Sequence, residues 1–193
     1  MQADSFFGGE LLEGRMSGGR DSRRNVYAEK AAAELSALAE RGVTFAGNAF
    51  SSILLIKGVL SEAEAAGEDL LAGRDGEALR AALLRLGYAP HDWCAMAACD
   101  AKGMPLAPEL VAEAIAALSP LTLVACDDAA AELLRAALGD DLAAGLTPGV
   151  VTWARGMRVL SLGGFAQALE AGEDERQRAW RWLKQIPPLA EPY

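Results

Sequence analysis

The sequence predicts an α/β fold, a three-layer α/β/α sandwich around a central, mostly parallel sheet of about four strands. Two observations carry this. Short apolar runs of strand length alternate with amphipathic helical stretches, an order that implies right-handed crossovers and a sheet covered on both faces. In addition, 193 residues of which 52% are hydrophobic supply enough apolar surface for one core flanked by packed layers.

Residues 1–25 carry Gly8, Gly9, Gly14, Gly18 and Gly19 among charges, which favours an arm over helix or strand. Residues 26–193 are read as a single domain. From about Val26 the pattern turns helical, with Ala31, Leu35 and Leu38 on one stripe and Gly42 placed as a stop. A short strand follows at Val43 to Ala46. Ser51 to Lys57 fits a buried strand or one helical turn equally well, because an apolar run of that length has no diagnostic period. Ser61 and Glu64 form a capping box opening a short helix that Gly67 weakens.

Asp75 to Leu86 reads as a helix with Leu79, Leu83 and Leu86 on one stripe and Gly87 after it. Asp92 to Ala98 is the next strand. Pro108 suits a first helical turn, and its helix buries Val111, Ile115 and Leu118 before Ser119-Pro120 stops it. Leu121 to Ala125 is a buried strand. Asp127 or Asp128 caps a helix that turns Ala130, Leu133, Leu134 and Leu138 inward and ends at Gly139. Val150 to Ala154 and Met157 to Leu162 read as two strands, or one kinked segment, joined at Arg155-Gly156. A last helix runs from about Glu173 to Gln185, where Trp180 and Trp182, two apart, cannot share a face, so one is expected in the core and the other at the surface.

Composition narrows the function. No apolar stretch approaches the ~20 residues of a membrane span, and Met1 to Arg24 has no export-signal h-region, so a cytoplasmic protein with no membrane partner is expected. Cys94, Cys99 and Cys126 lack CxxC spacing and are read as buried free thiols. The net charge of −9 opposes nucleic-acid binding. Basic residues cluster locally, at Arg15, Arg20, Arg23 and Arg24 and at Arg176, Arg178, Arg181 and Lys184. Any DNA binding is therefore expected to be weak and strongly salt-dependent. In a parallel sheet the ligand crevice lies outside the carboxyl ends of the strands, so the loops 47–52, 99–107, 126–128 and 163–168 are candidates.

These loops carry a resemblance to the uracil-DNA glycosylase superfamily, particularly its shorter microbial branches, over roughly Val43 to Ile186. Phe45-Ala46-Gly47-Asn48-Ala49-Phe50 resembles a strand and loop ending in Gly-Glu-Ala-Pro-Gly. Gly73-Arg74-Asp75-Gly76 resembles the Gly-Arg-Ala-Gly that opens the next helix. Cys99 and Pro108-Glu109, the segment Leu123 to Leu134, and Ala179-Trp180 with Leu183 match later landmarks in order.

The resemblance implies an α/β/α sandwich whose crevice accepts a nucleotide flipped out of DNA and breaks the base–sugar bond. It places Asn48 as the group that positions water, and Gly47, Ala49, Phe50, Ser51, Gly163, Gly164 and Phe165 as ligand-binding residues. Phe50 and Phe165 are the aromatics available to stack on a base. Departures fall on the chemistry. Phe50 and Ser51 replace Pro-Gly, and Gly163-Gly164-Phe165 replaces the His-Pro loop. The only histidine, His91, opens a strand at the end opposite the crevice and is read as a surface or capping residue.

Loss of one positioned donor to the leaving base costs about 10²–10³ in rate. Cys99 alone matches the four thiolates of the family's iron-sulfur cluster, so neither metal nor cofactor is expected. Asp127 and Asp128 put carboxylates where phosphates would lie. The leading expectation is a catalytically degenerate glycosylase-like protein holding a nucleobase, nucleotide or DNA end. The alternatives are an active glycosylase built around Asn48, and an acidic protein-interaction module on the same fold.

Overall fold

A computed structural model describes residues 32–187. The chain divides into two units, residues 1–37 and 38–193. The glycine-rich arm, its boundary near residue 25 and its four arginines lie outside the described residues. Helix α1 is present over residues 32–40. The elements that follow are β1 (Phe45–Gly47), β2 (Ile53–Lys57), α2 (Glu62–Ala65), α3 (Arg74–Arg85), β3 (Trp93–Ala97), α4 (Pro108–Leu118), β4 (Thr122–Ala125), α5 (Asp128–Leu138), β5 (Thr152–Ala154), β6 (Met157–Ser161), α6 (Phe165–Ala171) and α7 (Glu173–Leu183).

The fold is α/β. Among the described residues the sheet has six strands in the order β1-β3-β2-β4-β6-β5. It is mixed, where about four strands, mostly parallel, were expected. Pairs β2–β3, β2–β4 and β4–β6 are parallel, while β1 and β5 add antiparallel edges on β3 and β6. The β5 edge has a local cause. Arg155 and Gly156 both take positive φ, 49° and 77°, the two-residue geometry that folds a strand back on its neighbour. The segment is therefore a hairpin. The ambiguous Ser51 to Lys57 run resolves as β2, all five of its residues buried between two parallel neighbours.

Side chains alternate across the sheet. Ile53, Leu55, Ala95, Ala97, Val124 and Leu160 share one buried cluster with Leu79 and Leu83 of α3, Phe165 of α6, and Ala179 and Leu183 of α7. Helices α4 and α5 pack on each other, and α5 touches β2 and β4. Their buried faces are Leu110, Val111, Ala114, Ile115 and Leu118, and Ala130, Ala131, Leu134 and Leu138, the i, i+3, i+4 spacing read in the sequence. Pro108 opens α4 in its first turn, and Asp127 caps α5 by accepting the Ala130 N–H.

The Gly76 position is sterically closed by backbone. A Cβ on Gly76, in the first turn of α3, would stand 2.3 Å from the Leu71 carbonyl oxygen and 2.4 Å from its Cα. Leu71 itself holds φ 69° and is 1% exposed, so it has little room to yield. Gly76→Ala should destabilise the protein by about 1–3 kcal/mol through overpacking, against at most about 1 kcal/mol returned by better helix propensity. Urea denaturation measures it, and an unchanged or raised midpoint would contradict the close contact.

Candidate ligand-binding site

Strand β2 lies near the middle of the sheet. From β2 the chain proceeds to β3 on one side, and from β4 it proceeds to β6 on the other. The two loops diverge and leave a gap at the carboxyl ends, where ligands bind in open α/β sheets. A cavity of about 560 Å³ occupies that gap. Its walls come from Lys57, Val59 and Ser61 after β2, from Cys126 and Asp127 after β4, from Leu71, Asp75 and Leu79 beside α3, and from Phe165 and Gln167 of α6.

Lys57 ends an otherwise apolar strand. Its parity with Ile53 and Leu55 turns its side chain to the α3 face, where Nζ lies 2.6 Å from Glu64 Oε2 and 2.6 Å from Asp75 Oδ2. The Lys57 and Glu64 side chains are 4% and 2% exposed. Glu64 also accepts the Ser61 and Leu71 N–H groups, each at 2.6 Å, and Ser61 Oγ accepts the Glu64 N–H, so the capping box read in the sequence is present. Burial alone would lower the Lys57 pKa, but hydrogen bonds to Asp75 and Glu64 outweigh it and hold the ammonium above its ordinary value. Burial alone would raise Glu64, and Lys57 with the Ser61 and Leu71 amides outweighs that and holds the carboxylate below the ordinary range. One ammonium thus lies between two carboxyl groups.

Asp127 ties the two loops together. Its Oδ2 accepts the Gly58 and Val59 N–H groups at 2.8 and 3.1 Å, and its Oδ1 accepts Ala130 N–H at 2.8 Å. A carboxylate holding three amides is a structural anchor. Phe165 is the first residue of α6 and is 5% exposed. Its N–H donates to Cys126 O at 3.2 Å, which seats the ring against the loop after β4. Gly163, at φ +57°, makes the turn between β6 and α6.

No protein-family model matches the sequence, and no curated protein does. The site is therefore read from its own geometry.

That geometry separates the residues nominated from the sequence. Gly163, Gly164 and Phe165 lie at the carboxyl ends, with Phe165 in the cavity wall and the two glycines lining an adjoining recess. Gly47, Asn48, Ala49, Phe50 and Ser51 do not join them. Because β1 runs antiparallel to β3, Gly47 pairs with Cys94, and the loop after it sits at the amino ends of β2 and β3. There Asn48 N–H donates to Trp93 O at 2.9 Å and Asn48 Nδ2 to His91 O at 2.7 Å, while Asn48 Oδ1 accepts Phe50 N–H at 3.1 Å. Asn48 thus shapes a turn at the end of the sheet away from this cavity. Phe50 is 69% exposed at that same end. Ser51 Oγ donates to Ile53 O at 2.9 Å.

The loop 99–107 contributes nothing to the main cavity; it is organised on Asp100 Oδ1, which accepts Lys102 and Met104 N–H groups at 2.8 and 2.9 Å. His91 is a surface residue, its side chain 78% exposed and Nε2 3.6 Å from Asp92. All three cysteines are free and buried, and burial pushes the Cys94 thiol up to about 11. Among the described residues no group of three or more His, Cys, Asp or Glu is placed to hold a metal ion, and no helix is long and apolar enough to cross a membrane.

Two corrections concern α6 and α7. The segment 163–168, expected as a loop, contains the start of α6. Trp180 and Trp182, expected as one core and one surface residue, are both partly buried against the same cluster. Trp180 carries the Arg85 guanidinium 5.5 Å from its ring centre, and Trp182 packs so closely on Gly149 that a Cβ there would stand 1.9 Å from its Nε1. In the same helix Arg176 and Arg178 pair with Glu173 and Glu175 at 3.5 and 2.9 Å, which offsets the basic cluster read there.

The Lys57–Glu64–Asp75 triad was not recognised from the sequence. One signal was available: a lysine closing the run Ile-Leu-Leu-Ile-Lys must bury its ammonium if the strand is central, and it then needs carboxylates nearby.

Proposed function

We propose that this protein is a uracil-DNA glycosylase-like protein, a three-layer α/β/α sandwich that keeps a ring-binding crevice and has lost hydrolytic chemistry. Helices α3, α6 and α7 gathered on one face of the sheet, with α4 and α5 packed together beside β2 and β4, support the layered arrangement. Gly73-Arg74-Asp75-Gly76 leading into α3 supports the resemblance.

The observation that carries the reading is the state of the polar groups around the cavity. Lys57 is held by Glu64 and Asp75, and Asp127 by three backbone amides. Neither is free to activate water or to receive charge from a departing base. What remains is a cavity of about 560 Å³ with Leu71, Leu79, Cys126 and Phe165 in its walls, suited to holding a flat ring.

Release of uracil from single- or double-stranded DNA should stay at background. Free uracil and nucleosides should shift the amide resonances of Leu71, Cys126 and Phe165 in a titration followed by NMR. Phe165→Ala should weaken that binding by about 10- to 100-fold, the range of one lost base–aromatic stack. Multiple-turnover release of uracil would restore the active-glycosylase reading, and titrations that leave the crevice resonances unmoved would remove the ring-binding one.

A further inference from the structure

Building on that ring-binding reading, we infer that the crevice selects uncharged or cationic aromatic rings and rejects those carrying phosphate, so that its ligand is a free base or nucleoside-type compound and not a nucleotide or DNA. Three of the amides that would meet a phosphate are already taken. An anion in such a crevice normally rests on a helix amino terminus and on loop amides. Here the Ala130 amide in the first turn of α5 and the Gly58 and Val59 amides all donate to one internal carboxylate, Asp127.

The rim has the same sign. Among the described residues around the cavity, two cations, Lys57 and Arg74, face four carboxylates, Glu62, Asp75, Asp127 and Glu170. Lys57 is further neutralised by Glu64 beneath it. Beyond Gln167 a recess of about 400 Å³ continues the crevice; among the described residues its charged lining is Asp128 and Glu175, the latter paired with Arg178. A phosphate attached to a ring at Phe165 would meet carboxylates on either exit. A positive ring would meet the same carboxylates favourably and could also stack on the Phe165 face.

The test uses the full-length protein and two sets of probes in NMR titrations of the crevice resonances. Benzamidine and benzoate are flat rings of similar size and opposite charge. The nucleoside set is 1-methyladenosine, a cation, with adenosine and adenosine 5′-monophosphate. Benzamidine should bind at least about tenfold more tightly than benzoate, and the monophosphate at least about tenfold more weakly than adenosine, the scale of one or two unit charges at such distances. Both gaps should narrow at about 1 M salt, where screening acts over ~3 Å. They should also narrow in the double variant Glu62→Gln/Glu170→Gln, two exposed positions whose replacement leaves the core untouched.

Benzoate or the monophosphate binding as tightly as its partner would overturn the selectivity and leave the ring-binding reading standing. Benzamidine selectivity without any nucleoside binding would uphold the selectivity and end the nucleobase reading. Failure of every probe would end both.

Discussion

Lys57→Met should destabilise the folded protein by about 3–5 kcal/mol, the cost of removing one partner from a buried ion pair. The lost ammonium leaves Glu64, whose side chain is 2% exposed, and Asp75 facing each other with no counter-charge between them. Urea denaturation at neutral pH measures the loss. Adding Glu64→Gln should recover part of it, because the amide oxygen can still accept an N–H from Leu71 or Ser61 without a buried net charge. A single variant within about 0.5 kcal/mol of wild type, the scatter of ordinary surface substitutions, would show that the triad does not support the fold.

The same triad sets a pH window. Glu64 has a lowered pKa in the folded state, so its contribution is complete above the ordinary glutamate value of about 4.3 and is lost as pH falls through the lower folded value. Lys57 has a raised pKa, so its contribution is complete below the ordinary lysine value of about 10.4 and is lost as pH rises through the higher folded value. Stability contributed by the triad should therefore be flat between these limits and fall outside them. In Lys57→Met/Glu64→Gln both pH-dependent losses should shrink.

Asp127→Ala should cost about 3 kcal/mol, combining about 1 kcal/mol for a lost helix cap with about 1–3 kcal/mol for loop amides left without their charged acceptor. Asp127→Asn should fall between Ala and wild type. Its single carbonyl oxygen can cap Ala130, but its NH₂ group then faces the Gly58 and Val59 donors. Amide hydrogen exchange gives the site-specific readout: protection at Gly58 and Val59 should drop in both variants while that of central β2 is retained. Unchanged protection at those two amides would mean that the loops are held by something other than Asp127.

Much of the chain's local structure is legible in its sequence because it depends on neighbours only a few residues away. The Ser61/Glu64 box, Pro108 at the start of α4, Asp127 before α5 and the apolar stripes of α3 to α5 are all satisfied within one or two helical turns. Burial of the free thiols and exposure of His91 follow from the same local reading. Charge and composition likewise belong to the sequence, and they set the acidic character on which the selectivity of the crevice depends.

The site was another matter, since strand direction and strand neighbours are decided by contacts between distant segments. Nothing within Phe45–Gly47 specifies that it pairs antiparallel with Trp93–Ala97, yet that pairing carries Asn48 and Phe50 to the amino ends of the sheet, away from Phe165. A central position for Ile53–Lys57 is what buries the Lys57 ammonium, and only the docking of α3 brings Asp75, eighteen residues further on, within 2.6 Å of it. Capping and periodicity are short-range and survive in one dimension. The crevice is built where β2 and β4 diverge, and which strands lie side by side is a choice of the whole packed core.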